Sequence, residues 1–220
     1  MVELNMKTKI KNFSKKTKTF KVFSFLYRTF RIIDSRRKWR KVRKLDRVQL
    51  NIGSGSDDQK PGWVTVDLNG AYITHDLRKK LPLQNSSVQK IYSSHFFEHL
   101  PYNDMKRVLK ECYRVLKKSG EIYIVVPNGK LYINAYLNKA NYFDGKENEM
   151  YKPGFTDTGS FIDQVNYIAY LGGEHMYLYD EENLVNILKQ NGFNAKLREF
   201  DPELDLRVHE HDSVFAVGVK

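Results

Sequence analysis

Cysteine is almost missing from this chain: Cys112 stands alone among 220 residues. A lone thiol excludes an intramolecular disulfide and any zinc site built on cysteine, and it suits a reducing compartment. Long apolar runs are missing too. None approaches the roughly 18 residues of a spanning helix. Lys21, Arg28 and Arg31 interrupt the only greasy N-terminal stretch, so no cleavable signal is read and a cytosolic chain is expected. Acidic residues are scarce at one end. Residues 1–47 hold 17 of the 37 Lys and Arg but 3 of the 26 Asp and Glu, which leaves 20 basic against 23 acidic residues elsewhere. The net charge of +11 therefore belongs to an N-terminal arm, and the remainder is nearly neutral.

What is present suffices for one α/β domain with its own core and an appended segment. Residues 1–45 read as the arm: Phe20, Phe23, Leu26, Tyr27, Phe30 and Ile33 fall at helical spacing with cations off the stripe, followed by RRKWRKVRK from Arg36 to Lys44. Residues 46–220 read as the domain. Its strands are LNIG, VTVDL, the short ITHDL, VQKIYSS, EIYIVVP, NAKLREF and SVFAVGV. A helix around Met105, Val108, Leu109, Cys112 and Val115 is expected to be capped by Asn103 or Asp104 and ended by Gly120. A second helix, EENLVNILKQ, has Asp180 at its start and Gly192 at its end. Strand and helix alternate, which predicts a Rossmann-like, doubly wound α/β sheet. At about 129–174 the alternation lapses into an insertion rich in tyrosine, containing Tyr132, Tyr136, Tyr142, Phe143, Tyr151 and Phe155, with a helix expected from about Phe161 to Leu171. Part of this segment is expected to cover a ligand crevice, as long loops in compact domains often do. Its tyrosines suit either a substrate platform or a small core of their own.

The stretch LNIGSGSDDQKPGWVTVDL carries the chemistry. A glycine turn after the first strand lets backbone approach a ligand, and Pro61 and Gly62 leave room for no more than a reduced first helix. In the dinucleotide pattern GxGxxG the third glycine is replaced by Asp58, whose carboxylate repels a pyrophosphate, so NAD is disfavoured. No GKS or GKT follows, which excludes a Walker loop. A ligand with a ribose and a positive charge tolerates Asp57 and Asp58, and Asp67 at the end of the second strand is placed to accept from both ribose hydroxyls. S-adenosylmethionine fits this description.

The motifs NIGSGS, VTVDL, ITHDL, LPLQNSSVQKIYSSHFFEHLP, RVLKKSGEIYIVVPN and GGEHMYLYDEENLVNILKQNGF, in this order, closely resemble the class I S-adenosylmethionine-dependent methyltransferases. The likeness is nearest to the small-molecule branch that includes quinone and sugar methyltransferases. Within it, the form "glycine turn, PGW, strand, acid" resembles short methyltransferases predicted among surface-polysaccharide genes. The resemblance covers about Val48 to Lys220 and implies a seven-stranded sheet, S-adenosylmethionine as cofactor and a small-molecule or glycan acceptor. It implies a cofactor site of Asn51, Gly53, Ser54, Gly55, Asp67, Leu68, Asp76, Leu77, Ser93 and Ser94. Gly53 and Gly55 would lie under the methionine part, Asp67 on the ribose, and Asp76 and Leu77 at the adenine. The third glycine of the family's GxGxG is Asp57 here, so a non-catalytic methyltransferase-like scaffold is the alternative.

An alcohol acceptor needs a base, and His95, Glu98 and His99 in SSHFFEHL follow the strand whose carboxyl end faces the crevice. Glu98 and His99 can equally brace the start of the next helix. His175 in GGEHMYLYD suits local hydrogen bonding. No metal site is assigned: His209 and His211 read as a polar loop entering an edge strand. The basic arm has three readings: attachment to an anionic membrane, which suits a lipid-linked glycan; packing on the domain or another chain; and RNA binding, which would make the protein an RNA methyltransferase. SSHF stands where many enzymes that methylate base amino groups carry Asn/Asp-Pro-Pro-Tyr, which places nucleic acid last.

Overall fold

The near-continuous apolar run of EIYIVVP, which needs burial on both faces, lies within the longest strand of a seven-stranded sheet. The computed structural model describes residues 33–56, 60–142 and 158–220. Contacts divide the chain into two units, 1–44 and 45–220. In the first, residues 33–42 form helix α1, where Lys38 pairs with Asp34 one turn earlier at 2.6 Å. The stripe from Phe20 to Phe30 lies outside the described residues.

In the second unit the strands are β1 (Gln49–Ile52), β2 (Val64–Asp67), β3 (Ile73–Thr74), β4 (Val88–Ser94), β5 (Leu116–Pro127), β6 (Asn194–Leu197) and β7 (Ser213–Val219). Their order is β3-β2-β1-β4-β5-β7-β6, parallel except for β7, which runs antiparallel to both its neighbours. This is the Rossmann-like sheet of the seven-stranded methyltransferase type. Its strand order reverses between β1 and β4, which puts the ligand crevice at their carboxyl ends. Because β7 lies between β5 and β6, the HxH loop of His209 and His211 enters an interior strand rather than an edge.

Helix α2 (Tyr102–Val115) buries Met105, Val108, Leu109, Cys112 and Val115, and burial pushes the Cys112 thiol up to about 12, so this cysteine is an inert part of the core. Its start differs from the sequence reading. Pro101 takes the cap position with no side-chain bond, because its fixed φ of −55° already sets the chain for the first turn. Its end differs as well: β5 begins at Leu116, and Gly120 lies inside the strand, where a Cβ would come within 2.9 Å of the Lys117 carbonyl and 3.1 Å of that of Gln89. Helix α3 (Gly129–Leu137), unforeseen in the sequence, starts with the Asn128 side chain accepting from Lys130 N–H. Helix α4 (Ile162–Tyr170) ends where Leu171, Gly172 and Gly173 all take positive φ. Helix α5 (Glu181–Gln190) begins with Asp180 accepting from Asn183 N–H at 2.7 Å and stops before Gly192 (φ +94°).

Helical cover is reduced at the β1–β3 half, as the short stretch around Pro61 and Gly62 suggested. Connections 53–63, 68–72 and 75–87 contain no helix among the described residues. The link from β2 to β3 is five residues long, too short for a helical crossover. Helix α2 and the end of α5 meet at Tyr113 and Phe193, on the face that carries Ile122. On the opposite face of the strands, Tyr92, Val125 and Phe215 are covered by Trp63, Phe200 and Leu204, a layer of side chains in place of a helix. No helix of the described residues is long and apolar enough to cross a membrane.

Candidate functional site

The turn after β1 is fixed by its own backbone. Gly53 and Gly55 both have positive φ, +67° and +57°, which a side chain rarely adopts. Gly53 N–H donates to the Val66 carbonyl at 2.9 Å. A Cβ on Gly53 would fall 2.2 Å from Phe96 Cγ, whereas one on Gly55 would meet nothing within 4 Å. The ring of Phe96 thus packs on the first glycine, and the second stands open. Asp67, at the carboxyl end of β2, closes the turn: its Oδ2 accepts from Gly55 N–H at 3.1 Å and its Oδ1 from Asn69 N–H at 3.0 Å. Each oxygen keeps a second lone pair for a ligand. Asp57 and Asp58 lie outside the described residues.

Around this turn opens a crevice of about 440 Å³, the size of a small-molecule site. Gly53, Gly55, Asp67, Leu68, Asp76 and Leu77 line it, as do His95 and His99. Asn51, Ser54, Ser93, Ser94 and Glu98 do not. Asn51 and Ser93 are fully buried, Glu98 and Ser54 nearly so, and Ser94 is part-buried. Residues not foreseen on the wall are His75, Arg78, Phe96, Leu100 and Pro101. Arg78 grips Asp76 through two hydrogen bonds, Nε to Oδ1 at 2.9 Å and Nη2 to Oδ2 at 3.1 Å, and this pairing holds the Asp76 carboxyl below its ordinary range. Sequence order alone could have found His75 and Arg78, which flank Asp76 and Leu77.

Beyond β4 the chain turns sharply. His95 has φ +48°, an uncommon conformation for a residue with a side chain, and a one-turn 3₁₀ helix, Phe97–His99, follows it. His95 stacks on His209 with ring centres 3.5 Å apart. Ser213 donates to Asp212 at 3.0 Å, so its oxygen receives the Nε2–H of His95 at 2.9 Å. Nδ1 of His95 then faces Glu98 Oε1 at 3.5 Å. Desolvation first, then the neighbouring histidines, hold His95 well below its ordinary value, so the ring is neutral near pH 7. Glu98 is 1% exposed and neither carboxylate oxygen has a hydrogen-bond donor; burial pushes it up to about 8.

The GGEHMYLYD segment comes to this point through backbone bonds. Met176 and Tyr177 N–H both donate to the Glu98 carbonyl, at 2.7 and 3.2 Å. His99 Nδ1–H donates to the Glu174 carbonyl at 3.0 Å, and buried His175 donates Nδ1–H to that of Ile168 at 2.7 Å. His95, Glu98 and His99 are therefore brought together as the sequence suggested, and His175 joins them. His211 is exposed on the surface. Of the tyrosine-rich insertion, Tyr132, Tyr167 and Ile168 form a buried cluster with Tyr142 and Leu178 against it. A hollow of about 70 Å³ opens between Tyr132, Tyr167 and Leu171 on one side and His95, His175 and Asp212 on the other. The tyrosines serve as a local core and as the wall of this hollow, while Tyr136 and Tyr170 are exposed. Phe143, Tyr151 and Phe155 lie outside the described residues. His95 lines both the crevice and the hollow.

A solved S-adenosylmethionine-dependent methyltransferase from Archaeoglobus fulgidus is similar in structure at a TM-score of 0.50 and 19% identity, over 90% of this chain and 100% of that one. The fold is that of the S-adenosylmethionine-dependent methyltransferases. A methyltransferase of the same cofactor class from Thermotoga maritima gives a TM-score of 0.48 and 16% identity over 91% of this chain and 98% of that one. In sequence, residues 41–124 match the model of the methyltransferase domain family. That match runs from the end of α1 through β1 to β4 and most of β5 and includes His75, His95 and His99, but not His175, His209 or His211. No curated protein matches the chain.

Proposed function

We propose that the crevice binds S-adenosylmethionine and that the chain transfers its methyl group to a hydroxyl of a small-molecule or glycan acceptor, in the manner of surface-polysaccharide tailoring enzymes. The observation that carries this reading is Asp67, a carboxylate at the carboxyl end of β2 facing the crevice at the strand-order reversal, with lone pairs left for ribose hydroxyls. Asp67, to which no cationic side chain among the described residues is bonded, favours a cationic sulfonium over a pyrophosphate, whereas the charge of Asp76 is met by Arg78. Methyl transfer is an in-line displacement. It gains most from holding the acceptor oxygen against the methyl group, and the small hollow beside His95 offers that oxygen a place adjoining the crevice.

His95 binds Ser213 through Nε2, whereas His99, which lines the crevice, uses Nδ1 for the Glu174 carbonyl and keeps an Nε2 lone pair, which suits it to receive the proton of an acceptor that reaches from the hollow into the crevice. The test is calorimetric titration with S-adenosylmethionine. Asp67→Asn preserves one side-chain oxygen for the turn but weakens acceptance from ribose. Loss of hydrogen bonds to a charged group is worth about 1.5–3 kcal/mol, so affinity should fall roughly ten- to hundred-fold. Unchanged affinity in a folded variant overturns the ribose assignment, and no heat with the native chain favours the scaffold reading.

A further inference from the structure

Glu98 presents the least comfortable group in the domain. Its carboxylate is buried without a hydrogen-bond donor, and the nearest polar side chains are imidazoles whose protons are engaged elsewhere. We propose that Glu98, His99 and His175 form a binding site for one divalent first-row transition cation, between the crevice and the aromatic hollow. One ligand atom from each of the three lies within 4.8 Å of the others. His99 and His175 both donate Nδ1–H to backbone carbonyls, of Glu174 and Ile168. That bond fixes the tautomer, orients each ring and leaves Nε2 as a lone-pair donor, the outer-shell arrangement characteristic of metal-bound histidine.

His99 Nε2 stands 3.9 Å from Glu98 Oε1, and the rings of His99 and His175 are 5.0 Å apart at 72°. A cation held here would take the place of a proton on the buried Glu98 carboxyl and would occupy the Nε2 lone pairs that the two carbonyl-bound imidazoles keep. Two imidazoles and one carboxylate suit zinc, manganese or iron rather than magnesium or calcium, which prefer oxygen alone. Three protein ligands leave positions open for a small molecule. The nearby set of His95, His209 and Asp212 is less suited: His95 and His209 are stacked, which turns ring faces rather than lone pairs toward each other.

The cation site does not depend on the methyl-transfer reading, but one consequence does. With its Nε2 on the cation, His99 no longer serves as the base, and an acceptor hydroxyl bound to the cation gives its proton to water instead. The resulting alkoxide forms the O–C bond as the C–S bond breaks, with that electron pair passing to sulfur.

The experiment uses untagged full-length protein stripped with a chelator and titrated with Zn²⁺ and Mn²⁺ in the absence of S-adenosylmethionine. Bound metal is counted after gel filtration. One equivalent per chain is expected, with affinity at least ten-fold lower in Glu98→Gln and His175→Gln and unaltered in His209→Ala. Glu98→Gln keeps the shape of the buried side chain, and its melting temperature without metal checks the fold. Added Zn²⁺ should raise the melting temperature of the native chain and not that of Glu98→Gln. No equivalent bound by the native chain, undiminished binding in Glu98→Gln, or binding lost only in His209→Ala overturns the proposal. None of these outcomes bears on whether the crevice takes the cofactor.

Discussion

Gly53 and Gly55 sit two residues apart in the same turn with similar backbone angles, yet they answer to different constraints. Both pay for a left-handed conformation, which costs a side-chain-bearing residue about 1–2 kcal/mol. Only Gly53 has the root of the Phe96 side chain 2.2–2.5 Å from where a Cβ would stand. Chemical denaturation should therefore show Gly53→Ala less stable than Gly55→Ala, since the backbone cost is common to both and only the first meets Phe96. Equal losses would mean that Phe96 readily leaves the turn. At this scale the sequence was informative where chemistry is local. Asp67 and the two glycines were legible because a short glycine turn between two strands admits few geometries. The partnership of His175 with Glu98 was not, since it depends on backbone bonds from Met176 and Tyr177 between segments far apart in sequence. Nor was the use of Asp76 as the partner of Arg78, two residues on.

Among the elements, α2 is tied to the loop before β4 by one side chain. Arg114 donates to the carbonyls of Leu81 and Leu83, to Asn85 and to both oxygens of Glu111, while Glu111 also accepts from Leu81 N–H. These bonds replace the helix that would otherwise join β3 to β4. Arg114→Ala should cost about 1.5–3 kcal/mol in a denaturant melt, from charged hydrogen bonds that are largely shielded from water. The Arg114 hydrogen bonds hold the Glu111 carboxyl below its ordinary value of 4.5. Its contribution is thus complete above that value and disappears as pH falls through the lower folded-state value. Acid unfolding of Glu111→Gln should lack this contribution, and an unaltered acid limb would contradict it. Elements were legible where caps are local, as with Asp180 and Gly192 around α5. Helix α3 was missed because Asn128 starts it directly from the end of β5, with no polar linker to announce it. Gly120 misled for the opposite reason: a glycine after an amphipathic stripe reads as a helix end, and only the neighbouring strand shows that it serves close backbone packing.

Taken whole, the molecule puts its recognisable chemistry in one half of the sheet and its unusual groups in the other. The class of sheet was readable from the succession of motifs, but the interior place of β7 was not, and the bare β1–β3 half was only partly so. Pro61 and Gly62 announced the loss of the first helix, while the five-residue link to β3 shows that shortening continues beyond it. The arm belongs to this scale, because the 17 cations against 3 acids of residues 1–47 act as a field rather than as contacts. We propose that it holds the domain at an anionic membrane surface, near a lipid-linked acceptor. Each cation near such a surface adds about 1 kcal/mol. Vesicles containing anionic lipid should float the full chain but not a chain beginning at Leu45, with the difference shrinking as salt rises; equal flotation would remove the idea.

The two backbone hydrogen bonds that Met176 and Tyr177 N–H donate to the Glu98 carbonyl have a mechanical consequence. They stitch the segment around His175 to the short turn beside the glycine loop, so a shift of either side of that seam is passed to the other through rigid backbone rather than through side chains.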